Sequence, residues 1–248
     1  MLIYASVNAI NAYFFYEAHF TGIVPRVLGA LLGLTIIAAI FYVLNRKEGA
    51  RSLLRLLGFR KEGILRSFLW ANAFLLPLLV TLLGIVSISG PESFLANAGV
   101  TLPAAPIPQW YPFFASTAWI FGGLTVFPFL QAYPYEKMAG LPKRYVVPLI
   151  AILWVGLYNA PLVTGAVIWD DIVFFGFLFT TAYHKSRNSI GLVAAYVLAE
   201  LPVWAIFAGT WGVAVFTDGL MVRTLIGILS VGVLASWYLR ERRTRSPD

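Results

Sequence analysis

Residues 124–161 read LTVFPFLQAYPYEKMAGLPKRYVVPLIAILWVGLYNAP. The first part is apolar and aromatic. A short basic turn carrying Lys137, Lys143 and Arg144 follows, and a second apolar run then begins. That order predicts the end of one membrane helix, a turn at the membrane surface, and the first half of the next helix. Asn159 is a polar residue inside the second apolar run. Chemistry is expected where the two helices face each other.

The rest of the chain extends this pattern. Of its 248 residues, 60% are hydrophobic and 12% are charged, whereas soluble domains are about one quarter charged. The mean hydropathy is +0.80. Most of the surface is therefore not expected to face water. A hydrocarbon layer about 30 Å thick needs about 20 apolar residues per helix, and only helices or closed barrels satisfy every backbone polar group there. The apolar runs are continuous and do not alternate, which predicts helices and not a barrel.

Further readings follow from composition. No cysteine is present, so disulfides and thiolate metal sites are excluded. The formal charge is +7. In a chain this apolar, the excess marks cytoplasmic loops and headgroup contacts, not nucleic-acid binding. The N-terminus has no basic segment before its first apolar run, so no cleavable signal peptide is expected.

Eight spans are predicted, at 2–17, 23–44, 64–89, 110–133, 145–163, 169–183, 189–208 and 220–239. The first, with Asn8 and Asn11, is short enough to lie at the interface instead of crossing. Between the second and third, NRKEGARSLLRLLGFRKEGILR (45–66) sets an apolar centre among seven cations, as an amphipathic surface helix does. Residues 90–109 form the longest extramembrane loop, and Pro77 marks a kink. Alternating spans put sixteen of the eighteen Lys and Arg on one side, leaving Arg26 and Arg223 on the other. Both termini are thereby assigned to the cytoplasm. The expected architecture is all-α: one polytopic membrane helix bundle over residues 1–248, multi-pass in the cell membrane. No soluble domain or internal repeat is apparent.

Ionisable groups inside a membrane are costly and mark function by default. Glu200 falls near the midplane of the seventh helix, roughly 17 Å along at 1.5 Å per residue. Tyr196 lies one turn earlier on the same face. Asn159 falls near the midplane of the fifth helix and Asn72 is shallower in the third. Interhelical hydrogen bonding accounts for Asn72. A midplane carboxylate must be paired, solvated or protonated. His184 reads as an interfacial turn residue. A zinc site needs three or more convergent N, O or S ligands, and no such set is apparent.

Three segments resemble the CPBP family of intramembrane metalloproteases (CAAX proteases and bacteriocin-processing enzymes, or Abi). They are LLRLLGFRKEGILRSFLW (53–70), FPFLQAYPYEKMAGLPKRYVVPLIAILWVGLYNAP (127–161) and FFGFLFTTAYHKSRNSIGLVAAYVLAELP (174–202). The first resembles the family's entry segment. The second follows the course of its double-glutamate and arginine motif through a basic turn to an FxxxH motif. The third matches its glycine, basic turn and final apolar helix. The resemblance covers about 50–208, with its core at 110–208.

It implies an eight-helix scaffold. It also implies that the family's two glutamates fall on Gly122 and Gly123, its arginine on Phe127, its FxxxH histidine on Asn159, and its last histidine and Asn/Asp on Tyr196 and Glu200. Glycine neither binds metal nor moves protons, and a phenol near pKa 10 is a poor base at neutral pH. Glu136 belongs to the turn and is too close to Asn159 in sequence to replace the missing glutamates.

The expectation is a non-catalytic family member with no catalytic, cofactor or metal site. Asn159, Tyr196 and Glu200 would form a hydrogen-bonded cluster in the inherited cavity. Its partners would be membrane lipids, another membrane protein or a lipidated peptide. Two alternatives stand beside it. One is an active CAAX-type endopeptidase using zinc. The other is a small transporter using Glu200, for which unchanged flux in Glu200→Gln proteoliposomes would be decisive against it.

Overall fold

The computed structural model describes residues 23–97, 124, 127–138, 140–154, 176–207 and 212–245. All secondary structure among these residues is helical. In chain order the α-helices are α1 (Ile23–Glu48), α2 (Ala50–Leu56), α3 (Ile64–Ser89), α4 (Pro91–Asn97), α5 (Tyr133–Lys137), α6 (Lys143–Trp154), α7 (Phe179–Ser186), α8 (Ser189–Phe207) and α9 (Gly212–Arg245). A π-helical segment, Phe127–Ala132, leads into α5. The chain divides into two compact units. One comprises Met1–Glu62 with Leu124–Ile190, the other Gly63–Gly123 with Gly191–Asp248.

In the first unit, the predicted surface helix over 45–66 is cut into pieces. Gly49 and Gly58 hold φ of 78° and 73°, a region that side chains with a Cβ avoid. The chain therefore turns on both sides of the seven-residue α2. Prolines shape the next segment. Pro128 lies inside the π segment and Pro134 in the first turn of α5. A proline cannot donate the usual i−4 hydrogen bond. A widened π turn accommodates such a break in the ladder, and such turns recur at functional sites. The core of this unit is aromatic: Phe127, Tyr135, Phe179 and Tyr183 are all fully buried or nearly so. Gly176 lets the chain meet α6 closely, since a Cβ there would lie 3.1 Å from the Ala151 Cα.

In the second unit, α3 packs along α9. It spans the full 64–89 expected and runs on through Pro77. The Thr81 hydroxyl donates to the Pro77 carbonyl at 2.8 Å. Ser87, Thr224, Ser230 and Ser236 likewise donate to carbonyls four residues back. Such bonds satisfy hydroxyls without water. The buried stripe of α9 carries Leu220, Arg223, Thr224 and Ser230 at the i, i+3, i+4 spacing of one helix face. Gly227 continues it, with Leu76 directly opposite.

Among the described residues, two helical stretches are long and apolar enough to cross a membrane: Ile64–Ser89 and Thr217–Arg242. α9 begins at Gly212, earlier than the 220 expected. Arg223, assigned from the sequence to the side opposite most of the cations, lies eleven residues after the start of α9 and is 2% exposed. Residues 90–109 are likewise not a plain loop throughout, because α4 opens them.

Candidate functional site

The densest polar constellation among the described residues of the first unit is centred on Glu136. The Glu136 Oε1 accepts three hydrogen bonds: from Arg187 at 3.0 Å, from Arg60 at 3.1 Å and from the Tyr183 hydroxyl at 2.9 Å. Two guanidiniums and one phenol thus converge on one carboxylate oxygen. The Glu136 side chain is 14% exposed, while those of Arg60 and Arg187 are 26% and 30% exposed. Charge-assisted bonds of this kind are stronger than neutral ones. The exposure of both arginines limits each ion pair to about 1 kcal/mol.

The groups reach this point from three distant stretches of chain. Glu136 is the fourth residue of α5, directly after the buried Pro134 and Tyr135. Tyr183 comes from the last turns of α7. Arg187 caps α7 with φ 55° and ψ 33°, the left-handed conformation, and its amide donates to the Tyr183 carbonyl. Glycine usually fills such a cap, and an L residue there costs about 1 kcal/mol. The Arg187 guanidinium also lies over the Tyr135 ring, 4.3 Å from its centroid.

Arg60 is held by a staple between two turns. Asn188 Nδ2 donates to the carbonyls of Arg60 at 2.6 Å and Glu62 at 2.9 Å. The Ser189 hydroxyl donates to the Leu57 carbonyl at 2.7 Å, and its amide to the Gly58 carbonyl at 3.0 Å. Asn188 and Ser189 are fully buried, so these bonds act without competition from water. Gly58 makes the approach possible: a Cβ there would stand 2.5 Å from the Ser189 hydroxyl. At the end of α1, Glu48 pairs with Lys137 at 2.7 Å and accepts from the Tyr133 hydroxyl at 3.3 Å.

His184 belongs to the last turn of α7, not to a turn between helices. Its Nδ1 is hydrogen-bonded to the Tyr135 hydroxyl. Burial holds the imidazole below its ordinary pKa, reinforced by the positive charges of Lys143, Arg187 and Lys185. A neutral ring with its proton on Nε2 can accept the hydrogen bond of the tyrosine hydroxyl at Nδ1. The sign of the linkage follows. The unfolded chain takes up a proton near the ordinary value of 6.5, while the folded chain resists it to lower pH. Folding stability should therefore fall as pH drops below about 6.5, and be insensitive to this group above it. Thermal unfolding midpoints measured from pH 7.5 to 5 should decline less steeply in His184→Gln. Parallel declines would refute the assignment.

The residues predicted from sequence fare differently. Phe127 is 1% exposed, and its ring stacks on Phe179 with centroids 5.2 Å apart and planes at 19°. Tyr196 is buried on α8, and Glu200 lies one turn further along the same helix. Gly122, Gly123 and Asn159 lie outside the described residues, as does the side chain of Glu200, so the proposed Asn159–Tyr196–Glu200 cluster does too. Asn72 is fully buried and donates to the Phe68 carbonyl at 2.8 Å, a bond within its own helix and not between helices. Glu136, set aside as a turn residue, is the centre of the observed constellation. Its EK setting carried no signal of this, because its partners lie 76 and 51 residues away. Among the described residues, no three His, Asp or Glu side chains gather as a metal-binding group.

Comparison of the chain with protein-family models, curated proteins and solved structures gives no match.

Proposed function

We propose that this chain is a multi-pass membrane protein of about eight spans with cytoplasmic termini, built on a CPBP-like scaffold, which binds a membrane protein, peptide or lipid-like chain without cleaving it. The observation that carries this reading is Phe127. At the position matched to the family's arginine stands a buried ring stacked on Phe179. A guanidinium there would orient a carboxylate or a developing oxyanion. Two stacked phenyl rings offer only apolar surface. The nearest described carboxylate in the sequence, Glu136, is already engaged by three donors.

The outer faces of α3 and α9 support the membrane part. Val80, Ile85, Val222, Leu225, Ile228 and Leu229 are exposed, and Ile88 is 90% exposed. Leaving one such side chain in water forgoes about 2 kcal/mol, and the exposed apolar faces are continuous along two helices. Contact with lipid removes that penalty.

The test uses the full chain in liposomes with a farnesylated CAAX-type peptide. The peptide should be retained by the protein, and cleavage should not exceed that of protein-free liposomes. Cleavage abolished by a chelator would establish the active protease instead, and absence of both retention and cleavage would sink the binding reading. Topology can be checked separately. The chain has no cysteine, so one introduced at either terminus is its only thiol, and it should be labelled from the cytoplasmic side alone.

A further inference from the structure

Arg187 sits where the backbone would accept glycine without strain, yet the position holds a long cation. The left-handed cap at φ 55° is the sole positive-φ residue other than glycine among the described residues. Strain of this kind persists where the surrounding structure compensates it, and it clusters at binding sites. What the residue contributes there is its guanidinium, which glycine cannot supply.

That guanidinium joins a second one on a single oxygen. Arg60 and Arg187 each reach Glu136 Oε1 within hydrogen-bonding distance, so their charges outnumber the carboxylate's by one. Each keeps part of its surface open to solvent, and the Nε of Arg60 is buried without a hydrogen-bond partner. Lys143 and Lys185 are close enough to His184 to act on its charge, and they add to the positive field around the same turn. Two arginines that can meet on one oxygen can also meet on the oxygens of one phosphate, which Arg recognises with paired donors. In the sequence, Arg60 stands four residues before the apolar run that starts at Ile64.

We infer that Arg60 and Arg187 form a binding site for a phosphate group, with Glu136 as its resident counter-ion. The phosphate could be the headgroup of an acidic phospholipid or a soluble anion. The lipid source rests on the membrane reading above, and the soluble source does not.

The experiment uses the purified full chain in an uncharged detergent and reads the unfolding midpoint. One arm titrates inorganic phosphate. The other adds mixed micelles of phosphatidic acid, with phosphatidylcholine as the control. A ligand that binds only the folded chain raises the midpoint in proportion to its occupancy. At least one arm should stabilise the wild type. Arg187→Gly, which keeps the cap conformation, and Arg60→Gln should each weaken apparent affinity at least tenfold. Glu136→Gln, which removes the competing carboxylate, should strengthen it. A response confined to phosphatidic acid assigns a lipid headgroup, and a response to inorganic phosphate assigns a soluble ligand. No response in either arm, or undiminished binding by Arg187→Gly with a normal elution profile and helicity, overturns the site while leaving the peptide-retention result above untouched.

Discussion

Alanine at Gly191 is expected to destabilise the folded chain by about 3 kcal/mol, the upper part of the range for overpacking. The added Cβ would lie 2.2 Å from the Ile64 carbonyl oxygen, 2.7 Å from the Ser67 Cβ and 2.8 Å from the Phe68 amide nitrogen. Two of these are main-chain atoms within α3, so no rotamer change relieves the overlap. The two helices must separate, and Ser67, Leu69 and Leu192, all buried near this crossing, would lose contacts together. Close approach through glycine is how helices gain dispersion energy where lipid removes the hydrophobic drive between them. Unfolding of the purified variant in a denaturant titration should show the loss. Serine at the same site should behave like alanine, since it carries the same Cβ. A wild-type midpoint for both would mean that α8 and α3 do not meet at Gly191.

The second large effect is expected from Glu136→Gln. The amide keeps one acceptor oxygen but removes the charge that two guanidiniums share. Breaking a fully buried ion pair costs about 3–5 kcal/mol. With both arginines more than a quarter exposed, water screens the remaining repulsion, and a loss of about 1–2 kcal/mol is expected here. The loss should shrink at high salt, because the residual repulsion is partly exposed to counter-ions. Adding Arg187→Gly to Glu136→Gln should recover stability, both by removing one of the facing cations and by relaxing the left-handed cap. A double-mutant cycle measures that coupling directly. Strictly additive losses would mean that Arg187 and Glu136 do not act on each other.

These two sites differ in how far they could be anticipated. Gly191 lies in an apolar helix whose start at 189 was legible, because a basic turn precedes a long uncharged run. α3 was legible in full for the same reason, bounded by Gly63 and Gly90, both at positive φ. The far end of α9 was not, since its charged residues from Arg240 onward end the apolar run but not the helix. Arg and Glu are good helix formers, and hydropathy is blind to that. The 45–66 segment failed in the opposite direction. Its amphipathic pattern suggested one helix, but Gly49, Gly58 and Gly63 turn the backbone three times.

Sequence by itself determined that the chain is helical, apolar and free of thiol chemistry, because those properties follow from composition and from the length of its uncharged runs. It also singled out Phe127 as a departure from the resembled pattern. Only the tertiary structure decided that Glu136, Arg60, Arg187 and Tyr183 form one site. Periodicity reports which residues share a face of one helix. It carries no information about which of eighteen Lys and Arg will meet a given carboxylate, since that depends on turns closed by Gly58 and Arg187 and on the buried bonds of Asn188 and Ser189 that draw those turns together.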